Sequence, residues 1–119
     1  MKIAISATKD NKIDARFGRC EIFKIVEIED GDIKGEKEID NSAAAQAGGA
    51  GIRAAQIIGD EKAEAVITGN LGPNAMMTLK QLNIDVYQAE GDIEEVLKDY
   101  LDGKLKKLED STTGLHGGM

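Results

Sequence analysis

The chain contains one cysteine, one proline, one histidine, no tryptophan and only four other aromatic residues among 119. A single cysteine, Cys20, excludes an internal disulfide and suits a reducing cytoplasm. With His116 alone in a glycine-rich tail, no imidazole is left for a Ser or Cys triad, and neither a CxxC nor an HExxH pattern occurs. The chain is therefore expected not to be an enzyme. The shortage of aromatics leaves the core to Ile, Val, Leu, Ala and Met. No apolar run approaches the ~20 residues that span a bilayer, and Met1-Lys2-Ile3-Ala4 is too short an apolar stretch for a signal peptide. Positive charge is also in deficit. The net charge is −7, which argues against general binding to nucleic acid or to an anionic membrane.

What positive charge there is has a pattern. The lysines are scattered, but all three arginines fall in two glycine-containing segments. These are Ala15-Arg16-Phe17-Gly18-Arg19-Cys20 and Gly48-Gly49-Ala50-Gly51-Ile52-Arg53. Arginine offers a fixed fork of donors, and glycine lets backbone N–H groups approach a ligand closely. Such a combination fits an anion site.

The hydrophobic pattern predicts the order β-β-β-α-β-α-β-α. Strands are expected at 2–7, 21–29, 33–39, 63–68 and 84–88, with a hairpin turn at Asp30-Gly31-Asp32. The third strand is polar and is expected at a sheet edge. Ile52, Ala55 and Ile58 mark a helix ending near Gly59, Pro73 opens another, and 93–101 forms the last, stopped by Gly103. Residues 40–51 read as a loop. Residues 10–19 and 41–51 are expected to have few core anchors and to be the mobile parts. One domain, 1–108, is expected, followed by a flexible tail, 109–119. The predicted product is an α/β fold with a five-stranded mixed sheet flanked by helices.

Gly49-Ala50-Gly51-Ile52-Arg53-Ala54 matches the relaxed dinucleotide pattern G-x-G-x-x-A, but a loop separates it from the preceding strand. The next strand also ends without the acid that would hold a ribose. What remains is a glycine-rich entry into a helix, whose free N–H groups favour an anion. Gly69-Asn70-Leu71-Gly72-Pro73-Asn74 makes a second such entry at the carboxyl end of a parallel strand, where open α/β sheets bind ligands. Cys20 follows Arg19, and a neighbouring cation lowers a thiol pKa. As thiolate it would ligate iron or copper; the other reading is a buried, inert thiol. His116, with Met119, reads either as a contact for a soft metal or as part of a disordered tail. Asp10 and Asp14 read as solvated loop acids.

Phe17-Gly18-Arg19, Gly49-Ala50-Gly51 and Gly72-Pro73-Asn74-Ala75, in that order, resemble the dinitrogenase iron–molybdenum cofactor biosynthesis family, which includes NifX, NafY and the C-terminal domain of NifB. The resemblance runs from Met1 to about Leu105. It implies a ribonuclease H-like motif fold and a carrier of iron–molybdenum cofactor or an iron–sulfur precursor, with cluster-biosynthesis or acceptor proteins as partners. One related small protein holds a mixed molybdenum–copper–sulfide cluster. On this resemblance the cofactor-binding residues are Arg16, Phe17, Gly18, Arg19, Gly49, Gly51, Arg53, Asn70, Gly72 and Asn74, with Cys20 as the metal ligand. Many members carry His where this chain has Arg16, and another His in the loop where it has Ser42 to Gln46. Recognition here is therefore expected to rest on Cys20, on arginine and on N–H donors, or on a partner's ligands. The alternative is a metal-free module for a phosphorylated metabolite or nucleotide. A nuclease is disfavoured because the first strand, Lys2-Ile3-Ala4-Ile5-Ser6-Ala7, has no carboxylate to hold a metal.

Overall fold

The computed structural model describes residues 1–112; the expectations for His116 and Met119 lie outside them. Strands β1 (Lys2–Ala7), β2 (Ile22–Glu29), β3 (Asp32–Asp40), β4 (Ala63–Thr68), β5 (Asp85–Gln88) and β6 (Lys106–Leu108) form one sheet in the order β3-β2-β1-β4-β5-β6. The helices are α1 (Ala50–Asp60), α2 (Pro73–Gln81) and α3 (Ile93–Leu101). The mixed α/β architecture is as expected, with one strand more than the five read from sequence. The added strand, β6, pairs antiparallel with β5 through Lys106, Lys107 and Leu108. Three residues rich in lysine carry too little β-branched pattern to mark an edge strand.

β1 lies at the centre, antiparallel to β2 and parallel to β4. Its alternation sorts the core into two layers. Ala4, Phe23, Ile25 and Val66 pack under α1 and α2 through Ala54, Ile58 and Leu79. Ile3, Ile5, Val26 and Ile67 pack on the other face against Ile93, Val96 and Leu97 of α3. β3 is exposed along nearly all its length, and its charges protect the sheet edge.

Both loops thought to be poorly anchored are tied down. In the first, Ile13, Asp14 and Phe17 are all buried. In the second, Ser42–Ala45 forms a 3-10 turn whose N-cap, Asn41, accepts from the Ala43 N–H at 3.1 Å. The alanines pointed to helix, but the neighbouring glycines hid so short a turn. Beyond β6 the chain returns to α2: the Leu71 N–H donates to Thr112 Oγ1 at 2.9 Å. No helix among the described residues is long and apolar enough to cross a membrane.

Candidate functional site

β1 and β4 end side by side, and their last turns are stitched together. Ser6 Oγ and Thr68 Oγ1 pair at 2.7 Å inside the sheet, and Ser6 Oγ donates to the Asp14 carbonyl at 2.9 Å. The next residues of the two loops continue a short parallel ladder. Asn70 N–H donates to Ala15 O at 2.7 Å and Phe17 N–H to Asn70 O at 3.2 Å. Gly69 permits this, since a β-carbon there would stand 2.6 Å from Ala15 Cα. The Phe17 ring is 1% exposed and packs on Phe23 with centroids 5.5 Å apart, so the segment hangs from the core by an aromatic anchor.

That anchoring sets Gly18 against the first turn of α1 and brings three loops around one cleft of about 530 Å3. Arg16, Phe17, Gly18, Arg19, Gly49, Gly51, Asn70, Gly72 and Asn74 all line it. Arg53 and Cys20 do not. Arg53 lies in the first turn of α1, where its N–H donates to Gly49 O at 3.0 Å, but its side chain is exposed outside the cleft. Two residues along the helix turn its direction from that of Gly51 by about half a rotation.

Cys20 is fully buried among core residues. Its thiol donates to Phe17 O at 3.4 Å, and Asn41 Nδ2 approaches the sulfur at 3.6 Å. Burial, and then the charge of Asp14, push the thiol up to about 12. The lowering expected from Arg19 does not occur, because that guanidinium turns away to the Ala44 and Gln46 carbonyls. A thiol so buried and so hard to ionise is a poor metal ligand.

Two residues that hold the cleft loops went unread in the sequence. Asp14, taken for a solvated loop acid, is 6% exposed. Its Oδ1 accepts from the Arg16 backbone N–H at 2.9 Å and from Nε at 3.2 Å, and its Oδ2 accepts from Nη2 at 3.2 Å. The hydrogen bond first, and the carboxylate charge second, raise the Arg16 pKa. Asn41 is 5% exposed; its Nδ2 donates to Gly18 O at 3.1 Å and Cys20 O at 2.9 Å. The Asp-x-Arg spacing and an Asn directly before Ser-Ala-Ala were the available signals.

The cleft's chemistry follows from these parts. The first-turn N–H groups of α1 (Ala50, Gly51, Ile52) and of α2 (Asn74, Ala75) have no carbonyl behind them within their helices. Both helix ends carry partial positive charge. None of the lining residues is Asp, Glu, His or Cys, and among the described residues no cluster of three such groups is placed to hold a metal ion. The cleft offers donors and positive potential, and among the described residues it has no anionic or soft ligand.

The chain also matches known proteins in sequence and in fold. Residues 1–103 match the family described as dinitrogenase iron-molybdenum cofactor. An uncharacterised protein of Methanocaldococcus jannaschii is 44% identical over 110 residues, 92% of each chain. A second from that organism is 30% identical over 109 residues, covering 91% of this chain and 94% of its own. The apo form of the orange protein from Desulfovibrio gigas superposes with a TM-score of 0.85 at 28% identity, over 92% of this chain and 94% of its own.

Proposed function

The chain belongs to the dinitrogenase iron–molybdenum cofactor family, and we propose that within it this protein is a small non-enzymatic carrier or scaffold whose cleft receives an anionic metal–sulfur cluster as cargo. The observation that carries this reading is the convergence of two helix N-termini and Arg16 on one cleft whose lining has no carboxylate. Backbone N–H groups at helix ends and a guanidinium suit the oxo or sulfido periphery of such a cluster. Among the described residues no thiolate or imidazole lines the cleft, so the cargo is held by hydrogen bonds and charge. Biosynthetic or acceptor proteins of the same cofactor are the partners this role requires.

The lack of soft ligands among the described residues also gives weight to a second reading, a module for a phosphorylated metabolite or nucleotide at the same helix ends. Anaerobic purification followed by a visible spectrum and iron, molybdenum, copper and sulfide analysis separates the two. A cluster carrier is coloured, with sulfide in fixed ratio to metal. A colourless, metal-free protein whose cleft amides shift with phosphate and not with molybdate overturns the cluster reading.

A further inference from the structure

The Asp14–Arg16 pair has an asymmetry that a merely structural ion pair does not need. The Asp14 side chain is buried, 7% exposed, while the Arg16 side chain is 64% exposed at the cleft wall. Asp14 engages Arg16 along one edge only, through Nε and one N–H of Nη2. The donors left over are those of Nη1 and the outer one of Nη2, which together make the end-on fork of the guanidinium. That fork is the part suited to grip two acceptor atoms of one anion at once.

Asp14 is itself held from several sides. Its N–H donates to Ser6 O at 2.9 Å, and its carbonyl accepts from Ser6 Oγ at 2.9 Å and from the Gly69 N–H at 3.4 Å. The acid is thus fixed to the carboxyl ends of β1 and β4, the same elements that position the cleft. A flexible arginine free in solvent would lose substantial rotamer entropy on gripping a ligand. One already clamped along its side edge loses less, because its orientation is set before the ligand arrives.

We propose that Asp14 is a positioning residue that presents the end-on fork of Arg16 to the anion in the cleft, so that this protein favours ligands with two adjacent acceptor atoms. The proposal rests on the reading of the cleft as an anion receptor. It runs against simple electrostatics, which makes it testable. Removing a carboxylate next to an anion site strengthens binding if charge alone matters; removing a positioning residue weakens it.

The experiment uses the full chain with molybdate as probe and bromide as a monatomic comparison. Binding is followed by amide shifts and by the Arg16 Nε–H resonance in wild type, Asp14→Asn, Arg16→Lys, and Arg16→Ala with and without Asp14→Asn. Thermal melts accompany each variant, and Arg16→Lys, altered only at an exposed side chain, keeps the test alive if Asp14→Asn fails to fold. Wild type should show a protected Nε–H before any anion is added, and should bind molybdate at least threefold more tightly than Asp14→Asn does. Arg16→Lys should lose the preference for molybdate over bromide although the charge is kept. In the Arg16→Ala background Asp14→Asn should no longer weaken binding. If folded Asp14→Asn binds molybdate as well as or better than wild type, or if Arg16→Lys keeps the preference, the positioning role is wrong while the anion cleft stands. If neither molybdate nor phosphate moves any of the Ala50–Ile52 amides in wild type, the cleft reading fails and this role fails with it.

Discussion

Gly18 lies so close to the first turn of α1 that a β-carbon on it would stand 2.9 Å from the Gly51 nitrogen and 3.1 Å from Gly51 Cα. Both obstacles are backbone. A side chain can rotate away from an intruding methyl, but a helix terminus can only move as a unit.

Gly18→Ala should therefore push the 15–20 segment away from α1 and open the cleft. Overpacking of this kind costs about 1–3 kcal/mol. The expected result is a lowered melting temperature together with loss of molybdate-induced shifts at Ala50–Ile52. Gly51→Ala is a useful contrast. Its new β-carbon would meet the Ala75 methyl at 3.0 Å, but alanine regains about 1 kcal/mol of helix propensity. Its net effect on stability should be smaller than that of Gly18→Ala. Equal melting temperatures for Gly18→Ala and wild type would show that the loop and helix do not press together.

Cys20 gives a pH-dependent prediction. Its thiol is pushed from 9.0 in the unfolded chain up to about 12 in the fold, chiefly by burial. Below pH 9 both states hold the proton and the thiol adds no pH dependence. As pH rises from 9 toward 12 the unfolded state ionises first, so folding loses stability at up to ~1.4 kcal/mol per pH unit. Tyr100, also raised to about 12 by burial, acts in the same direction, so a difference measurement is needed. Cys20→Ala should cost about 1–2 kcal/mol at pH 7 for the atoms removed from a packed site, and that deficit should shrink above pH 9. A deficit independent of pH up to 11 would mean that the folded thiol ionises normally. Iodoacetamide should likewise label Cys20 only as fast as the protein opens.

The layout of the sheet was legible because β1, β2 and β4 are strongly patterned and the turns at Asp30-Gly31 and Gly69-Pro73 are chemically distinctive. The cleft was legible for a related reason. Glycines that permit close backbone approach are visible as letters, so the loops carrying Gly18, Gly49, Gly51 and Gly72 could be grouped before the fold was known. What the letters hid were partnerships. Asp14 is written as a loop acid, but its backbone bonds to Ser6 and Gly69 hold it in a buried position. Arg53 shares a glycine-rich segment with Gly51, but helical geometry turns it out of the cleft. Cys20 follows Arg19, yet the arginine bonds elsewhere and the thiol faces the core. Sequence adjacency showed proximity of backbone; it did not show direction of side chains.

Arg19 and Asn41 hold the same strap in different ways, and the difference predicts different outcomes. Arg19 Nη1 donates to Ala44 O at 2.9 Å and to Gln46 O, both in exposed surroundings. Exposed hydrogen bonds are readily replaced by water and contribute about 1 kcal/mol or less each. Arg19→Ala should speed amide exchange at 42–48 by roughly three- to tenfold, with little change in melting temperature. Asn41→Ala instead strands the Gly18 and Cys20 carbonyls and uncaps the 3-10 turn. Buried groups left unpaired cost ~1–3 kcal/mol each, so global stability should fall. Equal melting temperatures for the two variants would refute this division.

Arg53 and Arg16 carry the same charge near the same helix, and they separate contact from potential. Arg16 lines the cleft with an open fork, while the side chain of Arg53 is exposed outside it. At ~0.15 M salt an exposed charge acts weakly beyond about 8 Å. A charge-assisted hydrogen bond is worth ~1.5–3 kcal/mol, or about ten- to a hundredfold in affinity. Arg16→Ala should therefore weaken molybdate binding at least tenfold. Arg53→Ala should weaken it less than about threefold, and that loss should vanish as salt is raised while the Arg16 effect persists. Titrating both variants at two salt concentrations decides the matter. If Arg53→Ala loses as much affinity as Arg16→Ala at high salt, then Arg53 reaches the anion directly and the cleft extends around the first turn of α1.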